Sequence, residues 1–141
     1  MRCLGLDLGT KTLGVAISDK TNTLARPLKV IRFKDSSYEM LVSELKLIID
    51  ENEIGTIVLG LPKNMDNSLG FATERSLKFK ALLEKNIDIP VVLVDERLTT
   101  LEAENILINV DMRRDKRKKV IDAVAAVLIL ETYLKREWRN S

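Results

Sequence analysis

The sequence predicts a mixed α/β fold, a five-stranded sheet whose first three strands are antiparallel, with helices on both faces. Three observations predict it. Short apolar or alternating runs joined by turns fill the first 33 residues. At Ser37 the apolar period switches to that of a helix. Beyond it, compact apolar runs alternate with helical stretches.

Residues 2–8 (RCLGLDL) and 13–18 (LGVAIS) read as two strands joined by the short turn Gly9-Thr10-Lys11-Thr12. Residues 28–33 (LKVIRF) make a third. From 37 to 52, Tyr38, Leu41, Leu45, Ile48 and Ile49 share one helical face. The run 56–61 (TIVLGL) is nearly all apolar, as a strand buried on both faces requires. A polar loop, 62–70, leads to a helix over 71–86, and 91–95 is the fifth strand. Thr99 opens a further helix, with Glu102 completing a capping box. After a basic segment, 120–138 is a long, largely apolar helix. The order is βββαβαβαα. With strands one, four and five parallel, their carboxyl ends share the edge where α/β sheets place their sites. The length, 141 residues, predicts a single domain over 1–141.

Composition narrows the chemistry. The chain has no histidine, which removes Ser-His-Asp and Cys-His catalysis and His-ligated zinc. Cys3 is the sole cysteine, so disulfides and CxxC chemistry are also excluded. Carboxylates, Lys/Arg, hydroxyls and backbone groups remain, and a carboxylate-bound Mg²⁺ or Mn²⁺ is the expected cofactor of an enzyme so equipped. Net charge is only +2 but unevenly placed. The segment RRDKRKK, 113–119, holds six of the 23 basic residues and one of the 21 acidic ones, leaving 17 and 20, or −3, elsewhere. One local basic patch predicts a polyanion partner, a solvated loop being the bland alternative. The longest strictly apolar run, 123–130, is far short of the ~20 residues of a membrane helix, and no signal peptide is legible. A cytoplasmic protein with no membrane contact is expected.

Three acids do not fit a purely structural account. In the first two strands Leu4, Leu6, Leu8, Leu13, Val15 and Ile17 form a bulky face, while Gly5, Asp7, Gly9, Gly14, Ala16 and Ser18 form a small one. The small face must receive a helix or a ligand at close range. Asp7 is its only charge, and a buried carboxylate is costly unless paired or holding a metal. Glu96 follows the fifth strand beside Asp95. Asp122 is the one polar residue in VIDAVAAVLIL, 120–130. A place in the helix's first turn, favoured by the dipole, is its bland explanation. The small residues Ala125 and Ala126, a turn on, allow the helix to press on the small face and bring Asp122 towards Asp7.

These residues carry a resemblance. LDLGTKTLGVAISD (6–19), GLPKNMDNSLG (60–70), VDERLTTLEAE (94–104) and KKVIDAVAAVLILETYL (118–134) resemble, in order and across the chain, the YqgF (RuvX) family. The resemblance implies a ribonuclease H-like fold related to the RuvC resolvase. It also implies a bacterial cytoplasmic nuclease that matures the 5′ end of pre-16S ribosomal RNA, with Holliday junction resolvase as the older family label. The family's acidic positions fall on Asp7, Glu96 and Asp122, as catalytic and metal-binding residues. RuvC relatives carry a fourth ligand one turn after the helix acid, where this chain has Ala125 and Ala126; Asp66 and Asp95 are the carboxylates that could substitute, and neither is assigned as a ligand.

Lys11, Arg97, Arg113, Arg114, Lys116, Arg117, Lys118 and Lys119 are the expected nucleic-acid contacts, tracking the backbone without reading sequence. No aromatics interleave with the basic run, so base stacking there is not expected. The competing readings are the same chemistry on branched, four-way DNA, and a non-catalytic RNA-binding factor of the ribosomal precursor particle. Asp7-Leu8-Gly9-Thr10 also resembles the first phosphate loop of the actin and sugar-kinase ATPases, whose second loop is missing here. A monomer or weak homodimer is expected.

Overall fold

A computed structural model describes residues 1–34, 37–62, 70–95 and 114–139, the side chains of 71, 114–122, 138 and 139 excepted. In chain order the elements are β1 (Arg2–Leu8), β2 (Thr12–Ser18), β3 (Ala25–Arg32), α1 (Tyr38–Asn52), β4 (Ile54–Leu61), α2 (Phe71–Asn86), β5 (Val91–Asp95) and α3 (Arg114–Arg139). The helix expected from Thr99 lies outside the described residues.

The strands form one sheet in the order β3-β2-β1-β4-β5. β1 and β2 pair antiparallel, as do β2 and β3, whereas β4 runs parallel to β1 and β5 to β4. The carboxyl ends of β1, β4 and β5 therefore share one edge. The turn is tight: the Gly9 N–H donates to the Thr12 carbonyl at 2.8 Å.

The two faces of β1 and β2 receive different partners, as their side-chain sizes require. On the bulky face Leu4, Leu6, Leu13, Val15 and Ile17 pack with Leu41, Leu45 and Ile48 of α1 and Phe79 and Leu83 of α2. Phe33, Tyr38 and Phe79 stack as a chain of tilted rings with centroids 5.8 and 5.7 Å apart, tying the end of β3 to both helices. On the small face Cys3, Ala16, Val58 and Val94 pack with Ala126, Ile129, Leu130 and Leu134 of α3. Helices thus cover both faces.

Two element starts differ most from expectation. β3 begins at Ala25 rather than at 28 and includes Pro27. Proline lacks the N–H a central strand needs, but β3 is an edge strand and its pairing shifts register between Val15 and Ala16, beside Pro27. More important, the basic segment is not a loop: α3 starts at Arg114, so Arg114, Lys116, Arg117, Lys118 and Lys119 occupy its first two turns. Lys and Arg are good helix formers, and the helix simply continues through them. Asp122 is consequently eight residues into α3, beyond the first turn where the helix dipole would account for it.

Candidate active site at the carboxyl end of the sheet

The site is set by how α3 lies on β1. Gly5 is fully enclosed: a Cβ on it would fall 2.8 Å from the Ala126 carbonyl oxygen and 2.8 Å from the Leu130 Cβ. Cys3, two residues earlier, packs in the cluster that holds Leu134. Moving up β1 thus moves down α3. Two strand residues advance about 6.7 Å and four helical residues about 6 Å, so the two elements keep step. The next step from Gly5 is Asp7, and the next turn from Ala126 is residue 122. The turn of α3 that precedes Ala126, which carries Asp122, therefore lies towards Asp7's end of β1.

Asp7 itself is half-buried near the end of β1, paired in register with Gly14. Side chains alternate along a strand, so Asp7 shares the α3 face with Gly5. Asp95 ends β5 at the same sheet edge and is exposed. Glu96 and Arg97, which follow it in the chain, lie outside the described residues, as do Asp66 and Arg113; the side chain of Asp122 does too. Among the described residues no three acidic or cysteine side chains form a metal-binding group.

The alanines after Asp122 are settled. Ala125 and Ala126 are buried, at 2% and 0% exposure, with Ala126 backed onto Gly5. That position is filled by the packing of helix on strand, and it offers no donor to the site.

The hairpin turn spends backbone groups on internal hydrogen bonds. The Gly9 N–H is consumed by Thr12 and the Lys11 carbonyl accepts from the Phe33 N–H at 2.9 Å. Lys11 and Thr10 are nevertheless exposed beside Asp7's end of β1. Basic residues gather at this end. The first two turns of α3 bring five basic residues to a helix N-terminus, where the backbone dipole is already positive. Cations at that terminus are unfavourable for an isolated helix and favourable for holding a polyanion. Two cations not singled out from sequence, Arg32 and Lys34, are also exposed at this edge. The signal that finds Arg32 is pairing parity: Thr12 and Arg32 are register partners.

The opposite end of α3 carries different chemistry. A cavity of about 370 Å³ is lined there by Met1, Cys3, Thr21, Asn22, Thr56, Tyr133, Leu134 and Glu137. Burial, the largest influence, raises the Cys3 thiol above its ordinary pKa of 9.0, with the Glu137 carboxylate adding to the rise. Burial likewise raises Tyr133. None of this reaches Asp7.

No described helix is long and apolar enough to cross a membrane. Residues 1–136 match the family described as RuvX, Holliday junction resolvase. A protein of Geobacillus sp. (strain WCH70), provisionally named pre-16S rRNA nuclease, is 51% identical over 134 residues, 95% of this chain and 97% of its own. A Bacillus subtilis (strain 168) protein of the same provisional name is 50% identical over 95% and 97%. Among solved structures, Thermus thermophilus RuvC in complex with a Holliday junction substrate superposes with TM-score 0.59 at 15% identity, over 97% of this chain and 96% of that one. The fowlpox virus resolvase complexed with Holliday junction DNA gives TM-score 0.59 at 12% identity, over 97% and 99%. Those two likenesses establish the fold, which is that of the ribonuclease H-like resolvases. With nearly the whole chain matched by the family and by relatives of about half-identical sequence, this chain belongs to the RuvX family.

Proposed function

We propose that this chain is a divalent-metal-dependent nuclease that hydrolyses phosphodiesters at the 5′ end of pre-16S rRNA, in ribosome biogenesis. The reading takes residues 1–141 as one nuclease domain, cytoplasmic, working as a monomer or weak homodimer on the RNA or on the ribosomal precursor particle. The observation that carries it is Asp7, a half-buried carboxylate at the carboxyl end of β1, on the face that α3 covers. Support for RNA comes from the provisional name shared by the half-identical relatives.

The donor set fits a hard cation. Asp7, Glu96 and Asp122 are all carboxylates in a chain without histidine, and Mg²⁺ or Mn²⁺ prefers such oxygen donors. When bound, the ion supplies neutralisation of phosphodiester charge and lowers the pKa of the attacking water. The chain's own residues do the rest. The backbone of Asp7 is fixed by strand pairing and by the closure of α3 over the neighbouring Gly5. Glu96, next in the chain after β5, and Asp122 of α3 would complete the set. Lys11, Arg97 and the basic turns of α3, with Arg113 before them, hold the flanking phosphates and orient the scissile one.

A second reading has its own observation: the family description and both junction complexes concern four-way DNA. The experiment compares 5′-extended 16S precursor RNA with a four-way DNA junction, each with Mg²⁺ or Mn²⁺, and uses Glu96→Gln as control. Cleavage of the RNA alone, lost in the variant, is expected. Cleavage of the junction alone replaces rRNA processing by junction resolution. RNA binding with no cleavage under either metal makes the chain an assembly factor on a nuclease fold.

A further inference from the structure

Resting on the nuclease reading above, we infer that Arg32 and Lys34, at the outer end of β3, form a phosphate-backbone track that leads the substrate strand away from Asp7 over the edge of the sheet. Register assigns the face. Asp7 pairs with Gly14, Gly14 with Val30, and Thr12 with Arg32. Paired residues share a face and alternate residues return to it, so Arg32 lies on the same side of the sheet as Asp7. Two strand spacings across and two residues along put their Cα atoms about 12 Å apart.

The basic residues of β3 are not equivalent. Lys29 pairs in register with the core residue Val15, on the opposite face, and its Nζ meets the Glu44 carboxylate of α1 at 3.8 Å. Arg32, Lys34 and Lys11 are exposed and make no ion pair with any described residue. Lys11 joins them through the backbone, since its carbonyl accepts from the Phe33 N–H, between Arg32 and Lys34. An edge strand bearing exposed cations is also how sheets avoid edge-to-edge pairing. That role is served equally by Lys29 and Arg26. It does not require that charge fall on Asp7's side. The first two turns of α3, at the same end of the sheet, also carry basic residues.

The track is a positioning element and touches no reacting atom, so it governs binding and KM. The test uses the full chain carrying Asp7→Asn, to separate binding from cleavage, and a fluorescein-labelled 5′-extended 16S precursor RNA as probe, titrated at several salt concentrations. The double variant Arg32→Ala/Lys34→Ala is expected to weaken binding about tenfold. It should also reduce the slope of log K against log salt by about 1.4, for two lost single-strand phosphate contacts. Arg32→Lys should bind as the parent does, and Lys29→Ala, on the other face, should leave affinity and slope unchanged. Equal affinity and slope in the parent and double variant overturn the track while leaving the nuclease standing. Equal weakening by Lys29→Ala overturns it too, reducing the effect to net charge. If the chain neither binds nor cuts the RNA or a four-way junction, the track and the nuclease reading fall together.

Discussion

Gly5 and Ala126 meet so closely that a single added carbon would not fit: a Cβ on Gly5 would lie 2.8 Å from the Ala126 carbonyl oxygen. That approach fixes the height of α3 on the sheet, with the preceding turn, which carries Asp122, towards Asp7's end of β1. The small face of β1 and β2 is therefore a device for placing one acid-bearing helix close to one acid-bearing strand.

Gly5→Ala tests this coupling. The methyl group must displace Leu130 or lift the helix backbone, which should cost about 1–3 kcal/mol in urea unfolding, the usual penalty of overpacking. Cleavage should fall further than the loss of folded protein accounts for, because lifting α3 moves residue 122 relative to Asp7. Unchanged stability and rate would show that the helix is not seated as described.

Ser18 offers a structural contrast at the far end of the same face. Its hydroxyl is buried at 1% exposure, accepts from the Cys3 N–H at 2.8 Å and donates to Asn22 Oδ1 at 2.7 Å. Asn22 takes a left-handed backbone, φ 56°, and its amide donates to the Met1 carbonyl. Ser18→Ala leaves the Cys3 N–H without its partner and should destabilise by about 1–3 kcal/mol. The rate per folded molecule should not change, since Ser18 is remote from Asp7; a lost rate in a stable variant would contradict that separation.

Stability above pH 9 should carry the mark of Cys3. Burial raises its thiol above 9.0 and favours the neutral form. A group whose folded pKa exceeds its unfolded value contributes stability that is present below the unfolded pKa and disappears as pH rises through the folded one. Urea midpoints should therefore fall from pH 9 upward, and Cys3→Ala should flatten that fall. Tyr133, also raised by burial from its ordinary 10.0, acts in the same direction at higher pH. Iodoacetamide should label native Cys3 far more slowly than unfolded chain at pH 8, and equal rates would refute its burial.

The sheet and the site were legible to different depths, for physical reasons. The alternation of Leu4, Leu6 and Leu8 with Gly5 and Asp7 reveals both strand and faces, because a strand's period is two. The start of β3 was hidden by Pro27, which breaks interior strands but is tolerated at the edge, beside a register shift. The start of α3 was hidden because six basic residues in seven erase the apolar period while still forming helix. That error carried a useful correction: once the helix extends to Arg114, a first-turn explanation of Asp122 no longer holds. Arg32 escaped notice because its face follows from cross-strand register, which composition and spacing do not contain.

The central claim is that Asp7 and Asp122 belong to one hydrolytic site. Its most direct measurement is a double-mutant cycle on single-turnover cleavage of 5′-extended 16S precursor RNA with Mn²⁺, using Asp7→Asn, Asp122→Asn and both together. Residues acting as a unit are non-additive. Each single variant should lose at least about 100-fold in rate while still binding the RNA, and the double variant should lose no more than either. Full activity in Asp122→Asn, or losses that multiply in the double variant, would contradict a shared site.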